Sequence, residues 1–161
     1  MLKLTTESEE LLKANGWRQG LRSSADQIKG VYLANRCPLN VAALEFLLEF
    51  GNIAIGVANS SSSLSPPATD FDLTIERAAK YRITAARWSE SLGRELSPVG
   101  HADRGHCVLL MAGDGMTYLE DEESIFVVGH DGSDAINALV HGRPLTRVFI
   151  EENEDRAPER E

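Results

Sequence analysis

The stretch LSPVGHADRGHCVLLMAGDGMTYLEDEESIFVVG, residues 96–129, decides how this chain folds. Four apolar segments, 96–100, 107–112, 116–120 and 124–129, are separated by short polar or glycine-containing breaks. Segments of that length divided by turns read as a meander of antiparallel strands. Asp114-Gly115 is a two-residue hairpin signal, and Gly113-Asp114-Gly115 lacks the lysine and following helix of a phosphate loop.

The same stretch carries the letters of a reactive centre, His101, Asp103, His106 and Cys107. Side chains alternate across a strand, so His101 and Asp103 share one face while the adjacent His106 and Cys107 point oppositely. Four-ligand zinc needs short paired arms, and the other cysteine, Cys37, lies on a helix far upstream. A Cys–His pair split between sheet faces is poorly placed for proton transfer. The reading preferred is a polar hairpin turn over 102–105, with His101 and His106 at its rims and Cys107 entering the core. His130 and His141 flank the last helix separately and read as surface residues, His141 favoured by the helix dipole.

Working outward, the helices are marked by their caps. Thr6-Glu7-Ser8-Glu9 is a capping box that starts a helix over about 7–14, ended by Asn15-Gly16. Ser24 opens a second helix over about 25–36. A third follows Pro38, with Val41, Leu44, Leu47 and Leu48 as its apolar stripe, Glu45 and Glu49 facing away, and Phe50-Gly51-Asn52 ending it. Residues 53–58 predict the first strand. Ser60–Ser63 with Pro66-Pro67 predict a loop without an activating base for any serine nucleophile.

Phe71, Leu73 and Ile75, alternating with Asp70, Asp72 and Thr74, predict a short half-buried strand. Residues 76–95 predict one helix or a broken pair, with Ala78, Ala79, Tyr81, Ile83, Ala86, Trp88 and Leu92 mostly inward and Gly93 near the stop. Asp131 or Ser133 caps a last helix that ends at His141-Gly142-Arg143-Pro144, and 145–150 can add a strand. The fold class expected is α+β, a single domain with a twisted, mostly antiparallel sheet of about five to six strands and helices packed against it. The domain should span 1–150, with 151–161 an acidic disordered tail.

Composition bounds the function. The longest apolar runs fall far short of a membrane span, and the N-terminus lacks a signal core, so a cytoplasmic protein is expected. Cys37 and Cys107 read as small hydrophobes in a reducing compartment. The formal charge is −9, of which the last eleven residues, with six acids and two arginines, carry −4. Without clustered Lys and Arg, direct nucleic-acid binding is not expected, whereas an acidic surface speeds encounter with a basic protein. The run Glu120-Asp121-Glu122-Glu123 is consecutive and fans outward, unlike a cleft-spanning carboxylate pair. Its functional reading is a negative patch for a partner's Lys and Arg, joined by Asp70, Asp72 and Asp103 if the fold gathers those loops.

In order, Ala14-Asn15-Gly16-Trp17-Arg18, Glu45 to Gly51, Phe71-Asp72, Glu90-Ser91-Leu92-Gly93, Leu96-Ser97-Pro98-Val99-Gly100, a hairpin ending at Tyr118, and Gly129 before a helix running to Leu139-Val140-His141-Gly142 resemble the SUKH superfamily, specifically its third immunity-protein subgroup. The resemblance covers about residues 5–144. The chain departs from that pattern at Gly20-Leu21-Arg22, at Asn52 in place of a glycine, and at Met116-Thr117-Tyr118, positions that read as structural. The resemblance implies a non-enzymatic bacterial immunity protein without cofactor or metal. Such a protein neutralises by binding a cognate polymorphic or contact-dependent toxin, often a nuclease or deaminase; the acidic charge of this chain adds the expectation that its toxin is basic. Trp17 would pack the first helix against the sheet, and Pro98-Val99-Gly100 would shape a strand end. Partner contact is assigned to Asp70, Asp72, Asp103, Glu120, Asp121, Glu122 and Glu123. The rivals are a regulatory or scaffold module without a toxin, and a small hydrolase or metal enzyme. Oligomeric state is left open.

Overall fold

The computed structural model describes residues 3–20, 23–56 and 70–150. The serine-rich loop, residues 57 and 58 of the first expected strand and the acidic tail lie outside the described residues. Within them the chain is α+β, and the central meander forms as the turn chemistry dictates. Strands β3 (Leu96–Ala102), β4 (Cys107–Ala112), β5 (Thr117–Asp121) and β6 (Ser124–Gly129) pair antiparallel in sequence order. Short strands β1 (Ala54–Ile55) and β2 (Phe71–Asp72) extend the sheet on one side, and β7 (Thr146–Val148) on the other. Among the described residues the sheet therefore has seven strands in the order of the chain, more than the five to six expected, because β2 and then β1 add to one side of the meander and β7 to the other.

The helices are α1 (Thr6–Ala14), α2 (Ala25–Ala34), α3 (Val41–Phe50), α4 (Ile75–Ala78), α5 (Arg82–Leu92) and α6 (Gly132–His141). Each long helix that begins with a side-chain cap does so on Thr, Ser, Asn or Asp. Thr5, one residue before the expected capping box, accepts from the Ser8 amide, Ser24 from Gln27, Asn40 from Ala43 and Asp131 from Asp134. Gly93 and Gly142 end α5 and α6 in the left-handed conformation. Asn52, where the family resemblance leads to an expectation of glycine, has a left-handed φ of 65°, a conformation that asparagine also tolerates. There its side chain also accepts the Ile75 amide at 3.1 Å, capping the next helix, which glycine could not do.

Five helices and α5 contribute to two separate apolar clusters. α1 to α4 and α6 pack with Val99, Leu109, Met111, Leu119 and Val128. α5 packs Ala85 and Trp88 with Leu96, Val108, Leu110, Tyr118 and Ile125. Covering on both sides leaves β3 and β4 buried at nearly every position, so they read as continuous apolar runs rather than alternating ones. Helix faces are where the sequence reading needs correction. On α3 the buried residues are Ala43, Phe46, Leu47 and Phe50, while Val41 is exposed. On α5, Ala85 faces inward and Ile83 and Ala86 face solvent. The alternation at Phe71, Leu73 and Ile75 reports burial correctly, but the strand ends at Asp72 and Ile75 already begins α4.

Polar bonds lock the helices to the sheet. Asn40 caps α3 while its backbone N–H donates to Ser97 Oγ at 2.8 Å and its Nδ2 donates to the Met111 carbonyl at 2.9 Å. The buried Tyr32 hydroxyl donates to the Pro98 carbonyl at 2.5 Å, at the β-bulge between Pro98 and Gly100. Pro98 to Gly100 thus bend the middle of β3 rather than shape its end. Asn137 on α6 receives the Thr5 amide at 3.0 Å and donates to the Lys3 carbonyl at 2.8 Å, and the His141 ring meets Thr5 Oγ1 at 2.8 Å, fixing the N-terminus to α6. Trp17 is buried with its ring stacked on Phe50 of α3, centroids 6.1 Å apart.

On the α5 side, Glu120 is 5% exposed and its Oε2 accepts the Trp88 indole N–H at 2.9 Å. The expected outward fan of 120–123 is therefore wrong at its first member, because strand alternation turns Glu120 under α5 alongside Tyr118 and Ile125. Burial pushes its carboxyl above the ordinary value, with the Trp88 bond and the charge of Arg87 pulling the other way.

A Cβ on Gly129 would lie 2.4 Å from the Ala135 backbone nitrogen, whereas Gly30 in α2 has open space. Gly129→Ala should lower stability by ~1–3 kcal/mol, and Gly30→Ala should raise it by ~0.5–1 kcal/mol, read as urea midpoints at unchanged m-value. For Glu120, a raised folded value means the stability it contributes is full below the ordinary 4.5 and is lost as pH rises through the folded value. Glu120→Gln keeps an acceptor for Trp88, so its stability relative to the unsubstituted chain should climb between about pH 4 and pH 7. A constant difference across that range would contradict this account.

Candidate functional site

The antiparallel registers place several connections at one end of the sheet. Phe71 pairs with Ala102, Val108 with Glu120, Asp121 with Ser124 and Ile125 with Val148. The start of β2, the 3₁₀ turn Asp103–Gly105, the β5–β6 turn and the residues after β7 consequently share this end. The loops carrying Asp70, Asp103 and residues 121–123 are gathered there.

Their roles differ. Asp103 and Arg104 both adopt left-handed backbone, φ 49° and 54°, and Asp70 holds that turn. Its backbone carbonyl accepts the Asp103 amide at 3.2 Å and its Oδ2 accepts the Arg104 amide at 3.0 Å. Asp121 closes the β5–β6 turn by accepting the Ser124 amide at 2.9 Å. Asp103, Asp121, Glu122 and Glu123 are exposed, and Asp70 and Asp72 are half-buried.

Asp72 is occupied internally. Its Oδ1 accepts the Thr74 amide at 2.8 Å, its Oδ2 meets the Arg77 guanidinium at 2.7 Å, and His101 Nε2 lies 3.4 Å away on the paired strand. Burial alone would raise its carboxyl, but the Thr74 and Arg77 hydrogen bonds, with the charge of His101, hold it below the ordinary carboxylate value. Asp72 therefore organises the β2–β3 junction. Glu120 belongs to the opposite side of the sheet, under α5.

Cys107 is half-buried at the same end. Burial first, then the charges of Asp103, Asp121, Glu120 and Asp70, push its thiol up to about 11. In these surroundings it is held as a neutral thiol at pH 7. Cys37, buried and pushed up to about 12 chiefly by desolvation, is the same in kind. His106 is exposed, so the four residues that suggested a reactive centre are dispersed. Among the described residues, no three His, Cys, Asp or Glu side chains come together in a way that could hold a metal ion, and no helix is long and apolar enough to cross a membrane.

The sequence reading missed the apolar part of this end. Phe149 is 82% exposed, with Arg147 stacked over its ring at 5.4 Å. A shallow groove of about 300 Å³ lined by Cys107, Leu119, Asp121, Phe126 and Leu145 lies beside the acidic turn. Phe149 passed for strand filler because only the observed end of β7 at Val148 leaves it without a sheet neighbour. The arrangement, exposed carboxylates around an aromatic and a shallow apolar groove, is chemistry for binding a protein surface.

No curated protein and no solved structure matches the chain. The family model of the SUKH-3 immunity protein matches residues 4–142, which takes in every helix and all strands but β7. This chain belongs to the SUKH-3 immunity protein family.

Proposed function

We propose that this chain protects its cell by binding and neutralising a cognate toxin, a basic protein of nuclease or deaminase type, in the cytoplasm. The observation that carries the reading is the set of exposed carboxylates Asp103, Asp121, Glu122 and Glu123 on turns at one sheet end, in a member of an immunity family. Among the described residues, the side chains of Asp103, Glu122 and Glu123 have no ion pair or hydrogen-bond partner, so their charge is free for a partner. In this reading, Asp70 and Asp72 set the shape of the surface and Phe149 supplies its apolar anchor. Residues 1–150 form the immunity domain. Free carboxylates at an interface rim act mostly on encounter rate and partner choice, while the apolar anchor supplies lasting affinity.

The test is co-expression with the product of the adjacent gene, scoring growth and co-purification. Asp103→Asn, Asp121→Asn, Glu122→Gln and Glu123→Gln in one variant remove charge while keeping the Asp121 turn acceptor and a residue tolerant of left-handed backbone at 103. Affinity should fall ~10–100-fold at low salt, mainly in the association rate, and the gap should narrow as salt rises. Unchanged binding by this variant would remove the patch from the interface. Failure of the unsubstituted chain to rescue growth would remove the immunity reading itself.

A further inference from the structure

A second surface lies away from the acidic strand end. Leu33 and Val41 are 80% and 70% exposed. They edge a groove of about 500 Å³ between α2 and α3, floored by Tyr32, Leu39 and Leu44 and walled on the α2 side by Lys29, so the cation of a ligand belongs at the other, acidic end. Val41 also walls a groove of about 400 Å³ that runs from α3 to the start of α6 and the β4–β5 turn. That groove has Phe46, Phe50 and Met111 as apolar lining, and Glu45, Asp114 and Asp131 along its rim. Asp114 is paired with Arg94 and Asp131 caps α6, but Glu45 is exposed and has no ion pair or hydrogen bond among the described residues.

Both grooves meet at one exposed valine, so a single ligand segment can span them. An aliphatic side chain fits between Leu33 and Val41. A Lys or Arg beyond it can bring its charge to the Glu45 rim. The rim repels an anionic lipid surface, and a second copy of a chain with net charge −9 would meet like charge there. We infer that the α2–α3 groove and the α3–α6 groove form one docking surface for a protein segment carrying an apolar side chain followed by lysine or arginine. It rests on the grooves alone and not on toxin contact at the acidic end.

The experiment follows backbone amide resonances of the full chain during titration with the acetylated, amidated peptide Leu-Ala-Ala-Lys-Arg and its Leu-Ala-Ala-Glu-Glu counterpart. The basic peptide should move the amides of Leu33, Val41, Ala42, Glu45 and Gly132, and the acidic one should not. Leu33→Ser with Val41→Ser, and separately Glu45→Lys, should each weaken the basic peptide at least about fivefold without altering the melting temperature, since all three side chains are exposed. Equal response to both peptides, no response, shifts confined to residues 103 and 121–123, unchanged affinity in the variants, or concentration-dependent dimerisation through Val41 would each overturn the inference.

Discussion

The fold hangs on the side chain of Asn40 and the backbone beside it. One residue caps α3, reaches the Ser97 hydroxyl on β3 and donates to the Met111 carbonyl on β4. The bonds fix where the third helix starts, how far along the sheet it sits and which of its faces looks down. With α3 so placed, Phe46 and Phe50 must enter the core, and Phe50 gives Trp17 its stacking partner. The Tyr32 hydroxyl on the Pro98 carbonyl repeats the device for α2. Buried polar groups with every bond made specify one arrangement, where apolar contact alone would allow several.

What was legible in the sequence was local. Caps at Ser24 and Asp131, the glycine stops at Gly93 and Gly142, and the Asp114-Gly115 turn each rest on chemistry within a few residues, so the elements between them could be placed. Facing was not local. Val41 sits in a good apolar stripe yet points to solvent, because the Asn40 bonds orient α3 by its amide rather than by its most aliphatic side. Ala85 and Ala86 differ by one position, and only packing against β3 decides between them. β3 and β4, covered on both sides, had no alternation to read.

The candidate site was half legible for the same reason. Exposed acids on turns announce themselves, and antiparallel pairing brought Asp70, Asp103 and residues 121–123 to one end. Glu120 follows strand parity instead of composition and becomes the bond that holds Trp88. The histidines and cysteine of residues 101–107 looked chemical as a string. In space, His101 faces Asp72 and Tyr81, His106 faces solvent, and Cys107 is a neutral thiol among carboxylates.

The sheet order repeats the chain order without a crossover. Among the described residues, the β3–β4 and β5–β6 turns at the acidic end therefore join strands that are already neighbours. Lengthening, shortening or recharging one of these turns leaves the registers of the others and the helices on the far side untouched. Under the proposed function, such a scaffold separates the part that must stay constant from the part that meets a changing opponent, and the contacts of that surface can be exchanged turn by turn without re-solving the problem of folding.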